Sequence, residues 1–111
     1  LGLMDTALPT DELEKINAAI EPYKAQGVQF HALRSRQAGA RRFVSMHVLV
    51  PGDWTVQRGH QLLEKIESDI RAAIKNITVF THLEALNDPA SYDDTKLDRA
   101  SQNGKNESPP S

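Results

Sequence analysis

The run Arg41–Val50, RRFVSMHVLV, constrains the fold more than any other stretch of the chain. Its residues alternate: Val44, Met46, Val48 and Val50 fall on one side of an extended strand, and Phe43, Ser45, His47 and Leu49 on the other. A strand with one uniformly apolar face needs a partner layer on that face. The run before it, Val28–Gln37, also has strand character, and Gln37-Ala38-Gly39-Ala40 between the two reads as a turn, with Gly39 free to take positive φ. The pair predicts a β-hairpin.

Helical patterns flank the hairpin. Thr10 is placed to cap a first helix, with Asp11 and Glu12 where a helix N-terminus favours negative charge. Leu13, Ile16, Ile20 and Tyr23 form its apolar stripe; Pro22 should kink or end it late, and Gly27 closes it. After the turn Pro51-Gly52-Asp53, a second helix starts near Thr55, capped by Asp53 or Thr55, with Val56, Leu63, Ile66, Ile70 and Ile74 as its buried stripe. Ile77–Leu83 is a short third strand rich in β-branched residues. The order helix, strand, strand, helix, strand makes the last strand parallel to the one it joins. The result is an α+β, two-layer αββαβ sandwich with both helices on one face of the sheet, and the other face must be covered or tolerate water. Trp54, at the start of the second helix, reads as a packing plug.

A chain of 111 residues suits one domain. The expected division is 1–9 a linker, 10–86 the folded domain, and 87–111 a disordered tail too polar to offset its ordering entropy. The opening Leu1-Gly2-Leu3-Met4 has no initiator methionine and reads as a cut downstream of another segment, not as a signal peptide. No stretch approaches the roughly 18 apolar residues of a transmembrane helix. A net charge of −2 gives no reason to expect a nucleic-acid partner. The basic cluster Arg34, Arg36, Arg41 and Arg42 fits a rim facing lipid headgroups or a membrane domain, but better a solvated hairpin end. Without cysteine, there is no disulfide, thiolate ligand or cysteine nucleophile. Ser35 and Ser45 lie in no nucleophile-elbow motif, and there is no glycine-rich phosphate loop, so an enzyme is not expected.

The chemistry of interest lies in four histidines, His31, His47, His60 and His82. Three fall one per strand, and neighbouring strands lie about 4.8 Å apart, so scattered positions can converge. Glu84 follows His82 by two residues and shares its face. Imidazole with carboxylate suits zinc and other borderline divalent ions. A histidine on a strand is also commonly a satisfied structural residue. His60 belongs to the helical layer, so it either joins a site at the sheet edge or reaches one on a neighbouring molecule, as a symmetric dimer would allow. Imidazole ligation requires the neutral ring, so metal affinity should fall below about pH 6.

Taken in order, these segments resemble one known family. Phe30-His31-Ala32-Leu33-Arg34-Ser35-Arg36-Gln37-Ala38-Gly39 is similar to the first strand and turn of the cation diffusion facilitator C-terminal domain, where His-Asp-Leu-Arg-Thr-Arg is usual. Phe43-Val44-Ser45-Met46-His47-Val48 resembles its second strand, Gly59–Glu67 its second helix, Val79–Glu84 its closing strand, and Leu3–Pro9 the linker from the last transmembrane helix. The resemblance spans about Leu3–Leu86. It implies a ferredoxin-like, metallochaperone-like fold, a homodimer at the cytoplasmic face of the inner membrane, and attachment to the chain's own transmembrane domain. It also implies metal sites at His31, His47, His60, His82 and Glu84 for zinc or another divalent cation (cadmium, cobalt, iron or manganese). The function implied is a regulatory, metal-sensing and dimerisation domain of a proton-coupled divalent cation efflux transporter. Asp5 would pair with the membrane domain. Two positions depart from the family pattern: Ala32 stands where an acidic residue is usual, and Glu84 where aspartate is frequent. A free-standing metal-binding or chaperone domain, and a purely structural dimerisation module, are the alternatives.

Overall fold

The computed structural model describes residues 7–87; the expected linker residues 1–6, with Asp5, and the expected tail from residue 88 onward lie outside them. Two helices and three strands follow in the order α1 (Thr10–Lys24), β1 (Gln29–Ala38), β2 (Arg41–Val50), α2 (Val56–Ala73) and β3 (Ile77–Ala85). The sheet runs β1-β2-β3, with β1 antiparallel and β3 parallel to the central β2. This is the αββαβ sandwich that the hydrophobic periods predict.

The valine face of β2 is the floor of the core. Val44, Met46 and Val48 are no more than 1% exposed, and Ile16 and Ile20 of α1 and Leu62, Ile66 and Ile70 of α2 close over them. Leu8, before α1, is buried in the same cluster, and its N–H donates to Ser35 Oγ. Gly59 sets how closely α2 approaches the sheet, since a Cβ there would collide with Leu83 Cδ2 on β3. Thr81 Oγ1 on β3 donates to Glu67 Oε2 on α2 at 2.6 Å.

Several local expectations are corrected. Pro9, not Thr10, caps α1; its carbonyl accepts from Glu12 and Leu13 and no side chain serves. Thr55 caps α2, its hydroxyl accepting from the Arg58 N–H. Val56 does not belong to the buried stripe: it is 82% exposed, because the inward face of α2 begins one turn later at Gly59 and continues through Leu62, Ile66 and Ile70. Pro22 sits in the last turn of α1, which ends at Lys24. Trp54 packs on the core and carries the Arg58 guanidinium over its ring at 3.7 Å.

Arg42 leaves the arginine cluster for the opposite layer. Its Nε donates to Glu12 Oε1 at 2.7 Å and its Nη1 to the carbonyls of Ala40 and Lys75, tying α1, the hairpin and the α2–β3 turn together. The α1–α2 seam has its own polar link, with the buried Tyr23 hydroxyl donating to Asp69 Oδ2. Burial, then the Asp69 hydrogen bond and charge, push the Tyr23 phenol up to about 12 from 10.0. A pKa raised on folding stabilises fully below the unfolded value, so this contribution persists to pH 10 and is lost as pH climbs through 12. We expect Tyr23→Phe to cost about 1 kcal/mol at pH 8, the net worth of such a bond. Urea midpoints of the two chains should converge as pH rises from 10 toward 12; a constant gap would contradict the linkage.

Candidate functional site

Both helices cover one face of the sheet, which leaves the His47 face open. Strand register decides what meets there. His31 pairs with His47 across β1–β2, and His47 with His82 across β2–β3, so three imidazoles form one row perpendicular to the strands. Directly paired residues share a face, and the three rings therefore address the same side.

The row depends on an irregularity. Between His31 and Arg34 the β1–β2 register shifts, so that β1 has one residue more than β2 over this stretch. The backbone accommodates it with Ala32 at φ 55, in the left-handed region that a residue with a Cβ adopts at a cost of roughly 1–2 kcal/mol. This bulge lets Phe30 pair with Val48 on the core face, His31 with His47 on the open face, and Arg34 with Ser45, again on the open face. Ala32 occupies the position where the resemblance leads one to expect an acidic residue, and asparagine or aspartate tolerates this conformation better than alanine.

Glu84 lies one row beyond, paired with Leu49. Its Oε2 is 2.7 Å from His47 Nδ1, close but without hydrogen-bond alignment. The His47 and His82 ring centroids are 5.2 Å apart and tilted by 30°. His31 Nδ1 is buried with no hydrogen-bond partner among the described residues. A buried imidazole nitrogen without a partner is costly, and a ligated cation is one way to satisfy it.

Zinc fits this donor set by chemistry: neutral imidazoles and a carboxylate, with no sulfur needed. Among the described residues no group of three or more His, Cys, Asp or Glu already stands in ligating arrangement. Bonds of about 2.0–2.1 Å at tetrahedral angles put ligand atoms about 3.3 Å apart. The His47–Glu84 pair, at 2.7 Å, would have to open by about 0.6 Å to share a tetrahedral ion.

His60 does not join the row within one chain. It lies on α2, on the far side of the sheet, with its side chain 70% exposed and Nε2 3.8 Å from Glu64 Oε2 one turn on. Any role for it in binding requires a second molecule. Sequence reasoning did not single out the Arg36–Phe43–Arg41 stack beside the row, with guanidinium carbons 3.9 and 5.9 Å from the Phe43 ring centroid. The alternation that puts Phe43 on His47's face was its signal.

The cation efflux protein cytoplasmic domain family matches residues 8–86, from the buried Leu8 to the end of β3. The chain belongs to this family. It is 54% identical over 91 residues to an uncharacterized transporter, sll1263, of Synechocystis sp., covering 82% of this chain and 29% of that protein. It is 31% identical over 82 residues to the cation-efflux pump FieF of Cronobacter sakazakii, covering 73% of this chain and 27% of the pump. The chain thus spans under a third of the length of these curated relatives. Among solved structures, the zinc form of the transporter CzrB superposes with a TM-score of 0.66 at 30% identity, covering 77% of this chain and 97% of that one. The metal-bound C-terminal domain of the CzcD transporter from Thermotoga maritima gives 0.64 at 28%, covering 71% and 92%. These matches establish the ferredoxin-like fold of the family's C-terminal domains. The family is one of transporters, not enzymes. Among the described residues no helix is long and apolar enough to cross a membrane.

Proposed function

We propose that this chain is the metal-sensing, dimerising cytoplasmic domain of a divalent cation exporter of the zinc type. The observation that carries the reading is the register of the sheet, which sets His31, His47 and His82 in one row beside Glu84. His31, whose buried Nδ1 has no hydrogen-bond partner among the described residues, and His47, held near a carboxylate, supply the donors that a borderline divalent ion takes up. Capture requires the His47–Glu84 pair to open and the three strands to keep their register. A second copy of the chain would bring the outlying His60 to the ligand set. Binding then favours one arrangement of two copies over another by the difference in affinity between them, and residues 1–9 would carry that bias to the transmembrane domain. The metal-bound relatives on the same fold support the reading.

Zinc calorimetry on the metal-free chain tests it. Saturable binding is expected, weakening below about pH 6 as imidazoles protonate. The absence of saturable binding would leave a structural dimerisation module. Affinity that stays level from pH 5 to 8 would rule out imidazole ligands.

A further inference from the structure

On the helical side of the sheet, away from the histidine row, the domain ends in a corner where α1 begins, the hairpin turns and β3 starts. Arg42 fixes this corner. Its Nε donates to Glu12, its Nη1 to the carbonyls of Ala40 and Lys75, and its backbone N–H to the Asn76 carbonyl. Asn76 turns the chain from α2 into β3 at φ 56, in the left-handed region that asparagine tolerates. A groove of about 360 Å³ opens there, and its lining includes Glu12, Lys15, Arg42, Lys75, Asn76 and the buried Ile74.

The charges of the groove do not balance. Three cations face one anion, and that anion, Glu12, is already engaged by Arg42. Asp11 also acts on Arg42, which reduces the excess without cancelling it. Lys15 and Lys75 are exposed, and neither ammonium has a hydrogen-bond or ion-pair partner among the described residues. Two ammonium groups beside an apolar wall suit a phosphate ester, whose charge they meet while its carbon part lies against Ile74.

This is also the end at which α1 begins. Lys15 lies six residues, about 9 Å, along the helix from Pro9. With residues 1–9 leading to a transmembrane domain, eight residues at full stretch keep α1's first turn within about 27 Å of the bilayer. An anionic leaflet attracts basic groups held this close to it.

We propose that the corner between Lys15 and Lys75 is a docking site for the phosphate of an anionic phospholipid headgroup. This rests on the reading that residues 1–9 lead to a transmembrane domain, and not on the metal site. The corner and the histidine row lie on opposite sides of the sheet, so both can be occupied at once.

The test uses the whole 111-residue chain. It has no cysteine of its own, so Leu3→Cys couples at one place to a maleimide lipid in nanodiscs and holds the domain at a bilayer. The expected result is a change of amide shift at Lys15, Lys75 and Asn76 in discs of equal parts phosphatidylcholine and phosphatidylglycerol, absent in discs of phosphatidylcholine alone. A basic residue at an anionic surface is worth about fivefold in association, so Lys15→Gln combined with Lys75→Gln should lower the ratio of docked to undocked domain about 25-fold. Both side chains are exposed, so the variant should keep its fold, which unchanged shifts along the histidine row verify. Shifts that appear equally in phosphatidylcholine discs, or that survive the double substitution, would overturn the site. Inorganic phosphate titrated onto the untethered chain separates the sources: saturation at these amides with no response to anionic discs would make the ligand free phosphate and overturn the lipid assignment. A chain that ignores anionic discs yet binds zinc would sink the headgroup site and leave the metal reading standing. Docking by a chain that binds no zinc would do the reverse.

Discussion

Ile66→Ala is expected to lower the unfolding free energy by about 3 kcal/mol, the middle of the range for removing a buried branched aliphatic side chain. Ile66 is fully buried at the centre of α2, within the cluster formed with Ile16, Ile70, Val44, Met46 and Val48. Truncation leaves a void between helix and sheet, and little around it can collapse, because the neighbours are themselves locked against strands. Val56→Ala is the control. Val56 has the same apolar character on the same helix, but at 82% exposure its truncation should change stability by no more than about 0.5 kcal/mol. Urea denaturation followed by the fluorescence of Trp54 at a fixed chain concentration measures both. Equal losses would show that α2 does not sit on the sheet with the face described.

His47→Ala is expected to reduce zinc affinity by about 100-fold or more, since even an outer partner of a metal ligand is worth about 10–100-fold. His47 is on the central strand, paired with His31 on one side and His82 on the other, and its Nδ1 faces Glu84. Its loss divides the row into two separated imidazoles. His60→Ala separates two explanations of the site. If the site lies within one chain, the exposed His60 is dispensable; if a second copy completes it, the variant loses affinity and the loss depends on protein concentration. Calorimetry at two chain concentrations reads both. A His47→Ala chain that binds zinc as tightly as the unaltered one would rule out the row as the metal centre.

The parts of the fold legible in the sequence were those written in a period. The alternation in Arg41–Val50 located the core face of β2, and Ile66 and Ile70 located that of α2. Period alone misled at Val56, which has the right residue type and spacing but precedes the first contact of α2 with the sheet at Gly59. It was silent on Arg42, because its partners, Glu12 and the carbonyls of Ala40 and Lys75, come from three segments that only the folded chain assembles. The candidate site was legible as a set of residue types and through the family resemblance. Its arrangement was not. The alignment of His31 with His47 depends on a bulge that absorbs one extra residue, and Ala32, which takes its positive φ, bears none of the glycine or asparagine signal that usually betrays one. The placement of His82 beside His47 follows from the parallel register across a whole helical crossover, which no local pattern encodes.

The extra residue in β1 works as a phase shifter. Downstream of it the strand is clamped by the hairpin, from Arg34 opposite Ser45 to Ala38 opposite Arg41. Deleting Ala32 would therefore remove the bulge and leave both halves in register, with Leu33 opposite Met46, His31 still opposite His47 and Phe30 opposite Val48. A strand that kept Ala32 but ran without the bulge would turn Phe30 out to solvent and His31 in among the valines. It is the kink at Ala32, held at positive φ, that keeps count for the strand, and a backbone straightened there with every residue retained would unseat the core and the imidazole row together.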